Sequence, residues 1–279
     1  MKKILILVIT AILFISPFVA ASTTTFVNQT QTTESQHGSA SAFTHAVFIE
    51  EGTTTWCPNC PNAAEALYSL YDSGEYPLYF IALITDQNTV AQNKFWIHYR
   101  ASAIPTIFLD GGAGQYVGSG TTVEQTKQIY RPLIEEIGAR SVNPIELTTT
   151  VVGHDDAKLD ITVTVKNNGS KLYLGFLRSY VTEITSRWNN YAGNPYHFGF
   201  LDYAIQKLVF LGPQKSRTYT MTWDGAAQHG NLTYPDITDD NIMVITAVAH
   251  WMPHVVQEAD YIKTHLAFYV DQTDGATVE

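Results

Sequence analysis

The chain has 279 residues, of which 45% are apolar and 15% are charged, so it is long enough for one large domain or two ordinary ones and too apolar to be mainly disordered. Lysine and arginine total 16 against 26 aspartate and glutamate residues, and the resulting net charge of -10 has the wrong sign for a nucleic-acid-binding surface. Aromatic residues make up 12% of the chain, which favours substantial β-structure. The 2 cysteines are too few for a disulfide-stapled scaffold.

The N-terminus has the three regions of a secretory signal. Two lysines follow the first methionine, residues 4–15 are nearly all aliphatic, and small residues follow Pro17. We expect cleavage after Ala21, which predicts a signal peptide over residues 1–21. The mature protein is therefore expected to be secreted or held at the cell surface.

A polar segment over residues 22–41 follows the predicted signal and is typical of a flexible leader. The alternative to cleavage is an uncleaved N-terminal anchor, because residues 4–21 are close to the length that spans a bilayer. In that case membrane contact is confined to this segment. Glycosylation sequons at Asn28, Asn168 and Asn231 agree with an exported chain.

The next part of the chain, residues 42–140, alternates between strand-like and helix-like patterns, which is typical of an α/β domain. Strands are predicted over 45–51, 79–85, 106–109 and 115–118, and helices over 58–71, 90–100 and from a capping box at Thr121 and Glu124 to about residue 137. The pattern stops at Asn143, which precedes a proline, so a linker is expected at residues 141–143.

The remaining residues, 144–279, alternate apolar and polar side chains in several runs, which predicts an antiparallel sandwich of immunoglobulin type. The turn sequence at residues 167–169 predicts a hairpin between the first two runs. The segment 187–202 is too aromatic for a solvated loop, and two roles fit it: covering the sandwich or docking against the first domain.

The motif WCPNC at residues 56–60 lies between a predicted strand and a predicted helix. Its spacing places the two thiols within bonding reach, and the helix N-terminus stabilises a thiolate at Cys57. Cys57 is therefore the expected nucleophile, and Cys60 is the expected resolving thiol that breaks the mixed disulfide.

This motif, together with the Ile-Pro-Thr sequence at residues 104–106, resembles the thioredoxin superfamily. The resemblance implies a thioredoxin-like fold for residues 42–140, and the whole layout resembles secreted proteins in which such a domain precedes a β-sandwich. It also implies a cis-proline at Pro105 that faces the disulfide and keeps metal ions from the thiols. The backbone of Ile104 would then pair with an extended substrate segment, and Trp56 would contact the substrate.

The resemblance further implies a buried acidic residue that exchanges a proton with Cys60. Glu51 occupies that position, but Glu50 precedes it, so the strand register decides which carboxylate points inward. An ordinary strand carboxylate is the alternative. The dipeptide Pro58-Asn59 is neither the Gly-Pro of reductases nor the Pro-His of strong oxidants, so the redox direction stays open.

These features predict an exported enzyme, a thiol:disulfide oxidoreductase whose partners are exported protein thiols and disulfides and a protein that recharges the cysteine pair. No cofactor is expected besides the disulfide itself. No metal site is expected, because a structural zinc site needs four ligands and because Pro253 argues against a helix that would align His250 and His254. The alternative is a cell-surface binding protein in which the sandwich binds the ligand and Cys57–Cys60 is an inert staple.

Overall fold

The computed structural model describes residues 43–257 and 261–279, which belong to one compact unit. The predicted signal peptide and leader lie outside the described residues. The helices of the described part are too short or too polar to cross a lipid bilayer.

The first half begins with β1 (Val47–Thr53), α1 (Cys60–Asp72) and β2 (Leu78–Ile84), followed by α2 (Thr89–Gln92) and a π-helix (Asn93–His98). It continues with β3 (Thr106–Leu109), β4 (Gly114–Val117) and α3 (Val123–Gly138). The predicted elements of this half agree with these bounds to within a few residues.

The second half is almost entirely strand. Its elements are β5 (Ile145–His154), β6 (Lys158–Asn167), β7 (Tyr173–Asn189), β8 (Pro195–Leu211), β9 (Ser216–Asp224), a 3-10 turn (Asp239–Asn241), β10 (Ile242–His250), β11 (His254–Val256), β12 (His265–Ala267) and β13 (Val270–Thr277).

Strands from both halves form one mixed sheet of eight strands, in the order β13-β10-β7-β8-β2-β1-β3-β4. The halves meet where β8 lies parallel to β2, with Ala82 opposite Gly199. Strand β1 is parallel to β2 and antiparallel to β3. The remaining strands form a three-stranded sheet, β5-β6-β9, and the hairpin β11-β12.

In the described residues, two large hydrophobic cores and one small cluster, which includes Tyr196, pack against the large sheet. One core joins the helices of the first half to second-half side chains such as Tyr180, Phe198 and Ile245. The other lies between β5-β6-β9 and the opposite faces of β7, β8 and β10, where Val181 and Val244 point. Strand β10 contributes to both cores and is therefore apolar along nearly its whole length.

The predicted fold class is wrong. The molecule is not an α/β thioredoxin-like domain followed by a separate immunoglobulin-like sandwich, because the strands of the second half extend the sheet of the first half. The described residues are mainly strand, with three α-helices, of which α2 is a single turn. Alternation within a strand shows which face is buried, but not which distant strand lies beside it.

The hairpin predicted at residues 167–169 is also wrong. Strand β6 pairs with β5 and β9 in the small sheet, whereas β7 pairs with β8 and β10 in the large sheet. The turn itself forms, with the Asn167 side chain accepting from Gly169 N at 2.9 Å and donating to carbonyl oxygens, including that of Lys171. It carries the chain from one sheet to the other.

Candidate redox site

The two cysteines lie in the connection between β1 and α1 and are joined in a disulfide, with their Cα atoms 5.4 Å apart. Cys60 is the first residue of α1, so Cys57 lies in the turn before the helix. Cys57 N donates to Thr54 O at 3.4 Å, and Cys60 N donates to Cys57 O at 3.3 Å. Pro61 falls in the first helical turn, where a missing N–H costs little.

The disulfide lies just beneath the surface. Cys57 is 3% exposed and Cys60 is 0% exposed, so Cys57 is less exposed than its role as the attacking thiol predicts. The neighbouring Trp56 is 63% exposed. Thr55 ties the loop to the turn after β2, because its backbone N and its hydroxyl donate to the Asp86 carboxylate at 3.1 and 2.5 Å.

Pro105 lies at the same end of the sheet as the disulfide. Thr106, the first residue of β3, is paired with Gly52 near the end of β1, so the two connections leave the sheet side by side. The Ile104–Pro105 peptide bond is cis, as the resemblance at residues 104–106 implies. Pro105 is buried, and Ile104 is partly exposed.

A third segment, residues 118–120, bridges these two connections. Gly118 N donates to Pro105 O at 2.7 Å. The Ser119 hydroxyl donates to Asn59 O at 3.0 Å, and the Asn62 side chain donates to Gly120 O at 3.2 Å. Residues 118–120 therefore hold the loop that contains the cysteines (the cysteine loop) close to the loop that contains Pro105, through hydrogen bonds to both.

The strand register separates the two adjacent glutamates. Glu51 faces the helices α1 and α3, where Glu65 and Tyr130 are its electrostatic neighbours. Glu50 points to the opposite face, where it pairs with Lys94 at 3.3 Å and accepts a hydrogen bond from the Tyr99 hydroxyl. Glu51 is therefore the glutamate whose carboxylate lies on the same side of the sheet as α1, the helix that begins at Cys60.

Glu51 is completely buried, and neither of its carboxylate oxygens has a hydrogen-bond partner among the described residues. Burial, and to a smaller extent the charge of Glu65, raises the pKa of Glu51 to about 8. The carboxyl group is thus mostly protonated at neutral pH and can both accept and release a proton near that pH.

Sequence reasoning missed Tyr196, a buried residue of β8. Its hydroxyl lies 2.7 Å from Thr53 Oγ1 and donates to Thr54 O at 2.9 Å. Burial and the charge of Glu51 raise the pKa of Tyr196. The aromatic segment 187–202 indicated such a residue, since docking against the first half is one of the two roles that fit it. Tyr196 does contact the first half.

The histidine pair lies elsewhere in the molecule. His250 ends β10 and His254 begins β11, and their Nε2 atoms are 2.9 Å apart. His250 Nδ1 lies 3.2 Å from the Asp271 carboxylate. In residues 43–257 and 261–279, no three His, Cys, Asp or Glu side chains converge in a metal-binding arrangement.

No protein-family model matches the chain. No curated protein sequence matches it either. Among solved structures, HBP35 of Porphyromonas gingivalis is similar over 85% of this chain and 76% of its own, with a TM-score of 0.59 at 13% identity. This likeness concerns the fold alone.

Two further structures are much less similar. A protein of Agrobacterium tumefaciens covers 85% of this chain and 97% of its own, at 12% identity and a TM-score of 0.45. A β-glucosidase from Kluyveromyces marxianus in complex with glucose covers 57% of this chain and 18% of its own, at 14% identity and a TM-score of 0.28. Neither carries an argument about this chain. The predicted identification as a thioredoxin-like protein is corrected by the HBP35-like, mainly β architecture.

Proposed function

We propose that this chain is a thiol:disulfide oxidoreductase that acts on exported proteins through Cys57 and Cys60. In one direction, the Cys57 thiolate attacks a substrate disulfide, forms a mixed disulfide and releases one substrate thiolate. The Cys60 thiolate then attacks Cys57 Sγ, which releases the second substrate thiolate and restores the Cys57–Cys60 disulfide. Two electrons pass to the substrate, and the reverse sequence oxidises a substrate dithiol.

The observation that carries the proposal is the state of Glu51. A buried carboxyl group without a hydrogen-bond partner destabilises a fold and is usually eliminated or paired. Here it lies on the side of the sheet that α1 covers, and its pKa is raised to about 8. A group that titrates near this pH suits proton exchange with the Cys60 thiol, whereas a purely structural disulfide needs no proton exchange.

The surroundings of the disulfide suit a protein substrate. Cys57 retains a little exposure and Cys60 none, which supports Cys57 as the thiol that a substrate reaches. The partly exposed Ile104 and the exposed Trp56 lie at the same end of the sheet and supply a backbone and an aromatic surface for an extended segment. A recharging partner and export to the cell exterior remain part of this proposal.

A structural disulfide in a cell-surface binding protein is the second candidate. The near-complete burial of both cysteines favours it, because inert disulfides are typically inaccessible to thiols. In this case the functional surface would lie in the strand-rich second half.

The chain contains 2 cysteines, so each single substitution leaves one thiol at a known position. We expect Cys60→Ala to accumulate a mixed disulfide at Cys57 when incubated with oxidised glutathione or a disulfide-bonded protein, detected by intact mass. The matched Cys57→Ala variant should accumulate far less, because its remaining thiol is completely buried. Equal trapping by both variants, or none by either, would reject the oxidoreductase in favour of the staple.

A further inference from the structure

A cavity lies on the opposite face of β1 from Glu51. It has a volume of about 70 Å³ and lies between the π-helix, the middle of the large sheet and β12 with the residues that follow it. Two of its lining residues, His98 and Leu266, are exposed and mark its mouth. The cavity is large enough for several water molecules or one small organic molecule.

The charges in this cavity are unbalanced. Lys94 and Arg178 are the basic residues of its described lining besides His98 at the mouth, and Glu50 is the one acidic residue. Glu50 pairs with Lys94 at 3.3 Å and accepts from the Tyr99 hydroxyl, so its charge is already compensated. The Arg178 guanidinium makes no close ion pair with a described carboxylate, and its electrostatic neighbours are Tyr180, Tyr203, Glu50 and Tyr99, in that order.

Both cations are largely removed from solvent, since Lys94 is buried and Arg178 is partly buried. Lys94 is 8% exposed, and its ammonium group contacts the Glu50 carboxylate and the face of the Tyr99 ring, 4.4 Å from the centroid. Burial, and to a smaller extent the charge of Arg178, lowers the pKa of Lys94, and the Glu50 carboxylate offsets this only in part. A buried cation in excess of its counter-ions is costly, and an anion placed between these two groups would remove that cost.

The rest of the lining is apolar. It comes from aromatic and small aliphatic side chains, including Phe48, Phe176, Ala247, Ala249, Phe268 and Val270. A strongly hydrated inorganic anion gains nothing from such walls, whereas an alkyl group does. The volume is roughly half that of a 150 Å³ apolar cavity known to hold benzene, so the occupant is small.

From this combination we infer that the cavity binds a short-chain monocarboxylate, with its carboxylate between Arg178 and Lys94 and its alkyl chain against Phe48, Phe176 and Phe268. This ligand is independent of the cysteine pair, from which the cavity is separated by the sheet. The inference therefore holds or fails separately from the proposed oxidoreductase.

Calorimetric titration of the purified full chain with acetate, propionate and butyrate tests the inference. We expect propionate or butyrate to bind at least about tenfold tighter than 1-butanol, butylamine and inorganic phosphate. Equal binding of butyrate and 1-butanol would show that charge is not recognised, and phosphate binding as tight as butyrate would show a simple anion site. Either result, or no binding at about 20 mM butyrate, overturns the inference.

Two variants locate the site. Arg178→Met should weaken butyrate binding at least about tenfold, whereas Arg217→Met, at an exposed guanidinium on β9, should not change it. Ala249→Leu fills the cavity without changing its charges and should abolish binding. Circular dichroism confirms that each variant folds, and disulfide exchange at Cys57 should be the same in Arg178→Met as in the wild type. Unchanged butyrate affinity in folded Arg178→Met would place the ligand elsewhere and overturn the inference.

Discussion

Tyr196 and Cys57 donate to the same atom, the carbonyl oxygen of Thr54, at 2.9 Å from the tyrosine hydroxyl and 3.4 Å from the cysteine N. The tyrosine comes from β8 in the second half of the chain, and the cysteine from the first. The position of the cysteine loop is therefore fixed by a residue that lies 142 positions after Thr54 in the sequence. This contact makes the candidate redox site a product of both halves.

Replacing Tyr196 by phenylalanine tests that dependence. The variant loses the hydroxyl contacts with Thr53 and Thr54 and leaves the buried Thr53 hydroxyl without that partner. We expect a loss of about 1–3 kcal/mol in the free energy of unfolding and faster alkylation of reduced Cys57, because the loop is less constrained. Urea denaturation and thiol-labelling rates measure the two effects.

The matched control is Tyr219→Phe, whose hydroxyl makes one exposed contact, 3.4 Å from Leu208 O. It should change stability by less than about 0.5 kcal/mol. If both variants unfold at the same urea concentration, Tyr196 does not hold the cysteine loop.

Glu51→Gln should change how stability depends on pH. The folded-state pKa of about 8 lies above the ordinary value of 4.5, so the folded state keeps a proton that the unfolded chain releases between these two pH values. Wild-type stability should therefore fall by up to about 1.4 kcal/mol per pH unit across this window and level off above pH 8. Glutamine does not ionise, so this slope should be lost.

Urea denaturation of both proteins at several pH values between 4.5 and 9 measures the slope. Glu136→Gln, an exposed residue of α3, is the control and should retain the wild-type profile. A Glu51→Gln profile that runs parallel to that of the wild type would contradict a proton held by Glu51 in the folded state.

Replacing Asn88 by alanine tests whether the two halves of the chain unfold together. Its Nδ2 donates to Phe200 O at 2.8 Å and Leu201 O at 2.7 Å in β8, and its Oδ1 caps α2 by accepting from Val90 N at 2.8 Å. Asn88→Ala removes a helix cap and leaves buried backbone groups unpaired, so we expect a loss of about 2–4 kcal/mol. The single cooperative transition should be retained.

Fluorescence and far-ultraviolet circular dichroism, followed through the same urea titration, should give coincident curves for the variant. Asn231→Ala is the control, because the Asn231 side chain accepts from Thr89 N at 3.0 Å and donates to Gln87 O at 3.3 Å in exposed contacts that should contribute little. Two separated transitions would mean that the halves are independent domains after all.

Features that depend on neighbouring residues could be predicted from this sequence, whereas the pairing of distant strands could not. The motif at residues 56–60 and the helices depend on neighbours in sequence and were predicted from them, whereas the cis bond at Pro105 was expected from the resemblance. The pairing of Ala82 with Gly199 joins strands that are far apart in the sequence, and no local pattern specifies it. One clue was available in β10, whose continuous apolar run requires burial on both faces and hence a layer on each side.

Replacing Trp56 tests whether the proposed oxidoreductase recognises a protein substrate through a residue that the disulfide chemistry itself does not need. Its side chain is 63% exposed and adjoins Cys57, so Trp56→Ala should change stability by less than about 0.5 kcal/mol. An aromatic contact with a substrate segment contributes about 1 kcal/mol or more, so kcat/KM for a disulfide-bonded protein should fall roughly fivefold or more. The rate with oxidised glutathione should be nearly unchanged, because this small substrate does not extend across the indole. Trp251→Ala, also exposed, should affect neither rate. An equal loss with both substrates would assign Trp56 to the conformation of the cysteine loop instead of substrate binding.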